Sequence, residues 1–417
     1  MTESMGFWLT LAVFAATYGG LAVGRLPGLR TDRPGIALAG AAAALAFGLL
    51  GFDEAVAAID FATLGLLLGM MVVVAYLRRG GFFDRLAGRV LGRVGTPAGL
   101  LAATMALSAV LSALLVNDVA CLALTPLVLH LARRMGTDPR PHLIGLAVAS
   151  NVGSVATLTG NPQNMIVGGL SQISYLRFAA KLAPVALVSL AVAYAVTWLV
   201  FRTTLAAKCA PEAVAAPASR PSPRKRRALL IKAVAVTAAA VAGFFAGFPM
   251  ATVALAAAGL LLLDRVSPAK VYREVDWPLL VMFAGLFVVV HAFEVRVLHR
   301  VGVEDWATLR DHPVDALSAA SAVLSNVVSN VPAVLLFKPV IAAMPAEVRE
   351  VAWLALAMSS TLAGNLTVLG SVANLIVVEN ARKGGVTITL ADYCRVGVPV
   401  TLLTLAIGVG WLKFLPY

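Results

Sequence analysis

A succession of apolar runs, each about as long as a bilayer core is thick, constrains this chain more than any other feature. A helix rising 1.5 Å per residue needs roughly 20 apolar residues to cross the hydrocarbon region. Such runs fall near 5–24, 34–51, 60–78, 142–170 and 178–201, then near 229–247, 249–264, 276–293, 350–380 and 392–415. Charge is correspondingly scarce: Asp, Glu, Lys and Arg make up 13% of the 417 residues, against roughly 25% in a soluble domain. That is too little to clothe a water-facing surface, so a soluble enzyme or a nucleic-acid-binding factor is disfavoured despite a net charge of +12. Cys121, Cys209 and Cys394 are far apart and show neither a disulfide framework nor metal-ligand spacing. The five histidines sit at or near span ends and form no ligand set. No metal or cofactor is expected. The chain reads as an all-α polytopic protein of the inner membrane, and its N-terminus lacks the basic start of a signal peptide.

Two further apolar stretches, 98–132 and 315–344, are broken midway, at Val116-Asn117-Asp118 and at Ser329-Asn330-Val331-Pro332. Each half is short for a crossing, so each stretch is expected to enter to the midplane and return as a re-entrant hairpin. Before the first hairpin, Arg85, Arg89 and Arg93 share one face of Phe82–Val94 and apolar residues the other, the pattern of an interfacial amphipathic helix. A similarly mixed segment covers about 296–310.

The halves of the chain repeat each other. Residues 60–74 (DFATLGLLLGMMVVV) align with 276–290 (DWPLLVMFAGLFVVV), 111–126 with 324–339, and 157–167 (TLTGNPQNMIV) with 367–377 (TVLGSVANLIV), at offsets near 213. Five spans plus a non-crossing hairpin per unit make the second copy inverted. The expected organisation is a first repeat at 1–202, a basic cytoplasmic linker at 203–228 and a second repeat at 229–417. Charge supports this: with both termini outside, 24 of the 33 Lys and Arg residues fall in the cytoplasmic loops and seven in the outer ones. Inverted repeats with discontinuous helices at the midplane are the architecture of secondary transporters.

Non-helical backbone at membrane depth must line a cavity. Four such breaks are expected: the two hairpin tips, Gly160-Asn161-Pro162, and Gly370-Ser371. Half-helix N-termini there suit an anion or an oxygen-rich solute. The neutral side chains nearest the breaks are Asn117, Thr159, Asn161 and Asn164 in one half, and Ser329, Asn330, Thr367, Ser371 and Asn374 in the other. These are the candidate substrate-binding residues. Asp118 stands apart as the one carboxylate placed near the midplane, with Asp60, Asp276, Glu294 and Glu379 at span ends. Intramembrane acids mark ion and proton pathways, so Asp118 is the candidate coupling residue. Lys338 either pairs with substrate or snorkels to the surface, and Cys121 reads as a small buried apolar residue.

These motifs resemble those of the ion transporter superfamily, which includes citrate transporters, divalent-anion/sodium symporters and arsenite efflux pumps. Ser329-Asn330-Val331 is similar to the Ser-Asn-Thr hairpin tip of symporter members, and Gly160-Asn161-Pro162-Gln163-Asn164 to their Gly-Thr-Pro-Pro-Asn-like break. Asn117-Asp118 followed by Thr125-Pro126 looks like the arsenite pumps' Asn-Asp…Thr-Pro. The resemblance implies a homodimer, each subunit having a scaffold and a moving transport domain. It implies a proton-coupled carrier of a small inorganic anion or metalloid oxyanion such as arsenite, working by an elevator-type mechanism. A sodium-coupled di- or tricarboxylate symporter and a sodium/proton antiporter are the alternatives. An intramembrane enzyme would need a nucleophile–base pair or a metal triad, and neither is found.

Overall fold

Apolar helix formers punctuated by proline, glycine and capping residues dictate a wholly helical molecule. The computed structural model describes residues 3–23, 31–91, 93–206, 223–264, 266–298 and 312–414, and all regular structure among them is helical. The first half comprises α1 (Glu3–Val23), α2 (Arg33–Ala46), α3 (Phe52–Ala58), α4 (Phe61–Gly80), α5 (Phe82–Leu91), α6 (Pro97–Leu114), α7 (Asn117–Arg134), α8 (Pro139–Ser154), α9 (Pro162–Ser171) and α10 (Tyr175–Ala206). The second comprises α11 (Pro223–Phe245), α12 (Met250–Leu262), α13 (Pro268–Tyr272), α14 (Trp277–Phe293), α15 (Pro313–Val328), α16 (Asn330–Ala342), α17 (Ala346–Ala363), α18 (Val372–Lys383) and α19 (Leu390–Phe414).

Local chemistry starts these helices where it should. Asp32, Asp60, Thr96, Asp138, Asn161 and Asp276 each accept a backbone N–H of the first turn. Proline occupies one of the first two positions of α2, α6, α8, α9, α14 and α15, where its missing N–H costs nothing. Seven described helices are long and apolar enough to cross a membrane, while α2 and α12 run to only 14 and 13 residues. Residues 142–170 and 350–380 are not continuous helices: each is cut in two, as α8/α9 and as α17/α18. The stretches 98–132 and 315–344 form helix–turn–helix pairs, α6/α7 and α15/α16. The short helices α3 and α13 lie between the apolar runs, one before α4 and one before α14. The amphipathic helix α5 buries Phe83, Ala87 and Leu91. Most of its expected counterpart near 296–310, and the centre of the linker, lie outside the described residues.

Packing exchanges helices between the halves. The early helix α4 packs on the late α12, and the late α14 packs on the early α2. Both crossings need a glycine at the same repeat position. A Cβ on Gly69 would lie 2.6 Å from the Ala254 carbonyl carbon, and one on Gly285 would lie 2.7 Å from that of Ala37. These approaches bring backbone against backbone, which is how helices associate when lipid is no worse a solvent for leucine than protein is. At the centre stand α8 and α17, buried continuously over Pro141–Ser154 and Val351–Ala363. They carry the two breaks.

Candidate functional site

Each central helix ends beside the break of the other half and holds it with side-chain hydrogen bonds. On α8, Asn151 donates to Asn374 Oδ1 at 3.1 Å and to Asn365 Oδ1 at 2.9 Å. It accepts from Ser371 Oγ at 3.0 Å and from Asn117 Nδ2 at 3.1 Å. On α17, Thr361 stands 210 residues later, at the equivalent repeat position. Its Oγ1 accepts from Asn161 Nδ2 at 3.1 Å and Gln163 Nε2 at 3.2 Å. Within each break an asparagine fastens the loop. Asn164 Nδ2 donates to the carbonyls of Ser154 and Thr157, and Asn374 Nδ2 to those of Gly364 and Thr367, again 210 residues on. The backbone polar groups that a break exposes are thus satisfied from within the protein.

Where the breaks meet the hairpin tips lies a cavity of about 260 Å³. Four helix N-termini converge on it, two from each half: α7 at Asn117-Asp118, α9 at Pro162-Gln163, α16 at Ser329-Asn330-Val331 and α18 at Ser371-Val372. Such ends carry partial positive charge and free N–H groups. The wall is completed by Asp32, Arg33 and Pro34 at the start of α2, and by Asp276, Pro278, Leu279 and Met282 of α14. Among the described residues, three carboxylates, Asp32, Asp118 and Asp276, and one guanidinium, Arg33, stand around this space; the Arg33 Nε donates to the Leu21 carbonyl.

The structure sorts the candidate residues into two groups. Asn117, Ser329, Asn330, Ser371 and Asp118 line the cavity. Asn161, Asn164 and Asn374 are fully buried behind it, their amides engaged within the breaks. Thr159 bonds Tyr175 Oη at 2.7 Å, and Thr367 offers its carbonyl to Asn374; neither lines the cavity. Lys338 lies 3.8 Å from Glu294 at the end of α14, and Cys121 is buried. Asp118 is not the only acid of the site, as the sequence suggested: Asp32 and Asp276 cap helices at span ends, and the fold turns those ends inward. Asn151, Thr361 and Asn365 were also missed. Extending the repeat register upstream from 157 and 367 pairs Asn151 with Thr361 and was the available signal.

The hairpin tips differ. The Asn117 amide is tied to Asn151, and its backbone N–H to the Gly160 carbonyl at 3.0 Å. Ser329 adopts φ 85° and ψ 159°, a conformation that favours glycine. Both Asn117 and Asn330 bury a carboxamide oxygen that has no hydrogen-bond partner. At the far end of α9 the packing is close: a Cβ on Gly169 would lie 2.6 Å from Thr63 Oγ1 of α4, and one on Gly168 would lie 2.8 Å from Met250 Cε. The repeat counterpart of residues 60–66 at the start of α4 is 276–282 at the start of α14, which lines the cavity instead.

Polar helix ends gathered in one cavity inside an apolar bundle define a membrane transporter. The chain belongs to the citrate transporter family, whose model matches residues 13–363. It is 31% identical to the silicon efflux transporter LSI3 of Oryza sativa subsp. japonica over 97% of this chain and 95% of that protein. It is 37% identical to the putative transporter arsB of Dictyostelium discoideum over 40% of this chain and 31% of that one. Its fold is similar to the YdaH transporter of Alcanivorax borkumensis, with a TM-score of 0.61 and 15% identity, covering 98% and 97% of the two chains.

Proposed function

We propose that this protein is a secondary active transporter of the inner membrane that moves a small inorganic anion or metalloid oxyanion, arsenite-like in chemistry, by coupling it to protons at Asp118. The observation that carries this reading is the convergence of four helix N-termini, two from each half, on a cavity that also holds Asp118. The N-termini suit the oxygens of such a solute. Asp118 suits the proton, because a neutral carboxyl moves through apolar surroundings far more cheaply than an ionised one. With three carboxylates around one arginine, the wall disfavours a citrate-like trianion. The relative named for silicon efflux supports a solute of this class, since silicon in water is a hydroxylated acid. The charge asymmetry of the loops makes the linker cytoplasmic and turns the starts of α2 and α14, hence the cavity mouth, to the cytoplasm. The hairpins and breaks then travel as a transport domain in an elevator motion, each subunit of a homodimer moving against a scaffold.

Uptake into proteoliposomes tests this. Arsenite, silicic acid, phosphate and citrate are offered under an imposed pH gradient, then at clamped pH under a sodium gradient. Accumulation of a metalloid acid that follows the pH gradient is the expected result; citrate uptake that follows sodium alone sinks the proposal. A cysteine at Ser219 should react with an impermeant thiol reagent in inside-out vesicles and not in intact cells.

A further inference from the structure

We infer that Asn151 sets the hydrogen-bond polarity of this cavity, turning acceptors inward at Asn117 and Ser371 so that the site selects its ligand by the hydroxyl protons it carries. The inference rests on the cavity being the transport site. It follows from a chain of hydrogen bonds whose direction is fixed at one end. The carbonyls of Gly364 and Thr367 can only accept, so Asn374 must present Nδ2 to them, at 2.7 and 3.0 Å. Its Oδ1 therefore faces Asn151, which must present Nδ2 in turn, at 3.1 Å. That leaves Asn151 Oδ1 on the cavity side, where it accepts both the Asn117 amide and the Ser371 hydroxyl.

With the Ser371 proton and one Asn117 amide hydrogen engaged there, Ser371 has only lone pairs left for a ligand, and Asn117 keeps its Oδ1 acceptor beside a second amide hydrogen. Asn117 Oδ1 is buried and unpartnered, and both Asn117 and Ser371 line the cavity. An uncharged hydroxylated acid fits both sets of groups around it. Its oxygens accept from the helix N-termini and its O–H groups donate to these acceptors. A fully ionised oxyanion satisfies the N-termini but leaves the acceptors unpaired, at the cost of a buried polar group without a partner. In the other half Thr361 is occupied by Asn161 and Gln163, so the polarity is set from one side of the cavity only.

The test is ligand-dependent thermal stability of the purified full-length protein, titrated at neutral pH with arsenite, silicic acid and boric acid, and separately with sulfate. The wild type should bind the un-ionised acids and discriminate against sulfate. Asn151→Leu releases the Asn117 amide and the Ser371 proton to turn inward, and the acid-to-sulfate affinity ratio should fall about tenfold or more. Asn151→Gln keeps both the amide donor for Asn374 and Asn365 and an acceptor for Asn117 and Ser371, with no change of charge, so the ratio should survive. A residue that merely packs would lower the melting temperature of both variants and leave the ratio alone, which overturns the inference. Where Asn151→Leu does not fold, Asn151→Ser, too short to reach Asn117, takes its place under the same criterion. A wild type that binds sulfate in preference to the acids, or binds none of the panel, also overturns the inference. Correct polarity without pH-driven movement of any solute defeats the transporter reading alone.

Discussion

The two hairpin tips occupy equivalent repeat positions and are built oppositely. The first is pinned through Asn117 and carries Asp118. The second carries Val331 where the first has its acid, and holds Ser329 in a left-handed conformation. The repeat offers one backbone plan twice, and the two tips depart from it in different directions. Under the proposed coupling, a group that gains and loses a proton needs fixed surroundings, whereas a tip that lets a solute pass needs a conformation it can leave. Strain at Ser329 and the unpartnered oxygen of Asn330 fit the second task.

The largest expected effect is at the pinned tip. Asp118→Asn keeps the side chain's volume and removes its titration. It should abolish accumulation driven by a pH gradient in proteoliposomes while counterflow exchange of substrate persists. Undiminished proton-driven uptake would make Asp118 structural and erase the functional half of the contrast.

Next come the paired asparagines. Asn117→Ala leaves the acceptor on Asn151 one donor short and should destabilise the protein by about 1–3 kcal/mol as well as weaken transport. Asn330→Ala removes no side-chain hydrogen bond seen in the structure. It should stop transport while costing less stability than Asn117→Ala does, because no hydrogen bond is lost. Equal losses in denaturant melts would show that both tips are pinned alike.

The paired glycines test the part of the duplication that has stayed symmetric. Gly69→Ala and Gly285→Ala each drive a methyl group into the facing backbone. Both should cost about 1–3 kcal/mol, matching within experimental error when melted side by side. A large difference would mean that one crossing tolerates separation and the other does not. Smallest is Ser329→Gly, which should raise stability by roughly 1 kcal/mol because glycine adopts that conformation without strain.

Much of the fold was legible because its signals are local. Span length, the proline at 162 and the polar interruptions at 117 and 330 each act within a few residues, and the repeat register revealed which pairs are equivalent. Of the site, the hairpin tips and Ser371 were legible for the same reason. Asn161, Asn164 and Asn374 were recognisable as break residues, but which atom a carboxamide offers a ligand depends on neighbours hundreds of residues away. Asp32, Arg33 and Asp276 looked like ordinary polar punctuation at span ends. Only the crossing of α2 with α14 turns those ends towards the interior, and that crossing is written in single glycines, Gly285 against Ala37, which no periodicity distinguishes from other glycines in an apolar run.

The exchange of helices between the halves also carries a consequence for the order in which the chain is made. When α4 leaves the ribosome, the surface that Gly69 opens has nothing to receive, because α12 lies some 180 residues downstream. The start of α2 likewise waits for α14. The break before α9 is held by Thr361, which is not yet synthesised when Pro162 enters the membrane. Contacts so distant in sequence form late. The first half therefore has to persist in the bilayer with its grooves and its polar break uncovered until the second half arrives. Biogenesis has a vulnerable interval whose length is set by the time needed to translate the second repeat. Truncations that end before α17 leave a chain able to insert but with nothing to close its break.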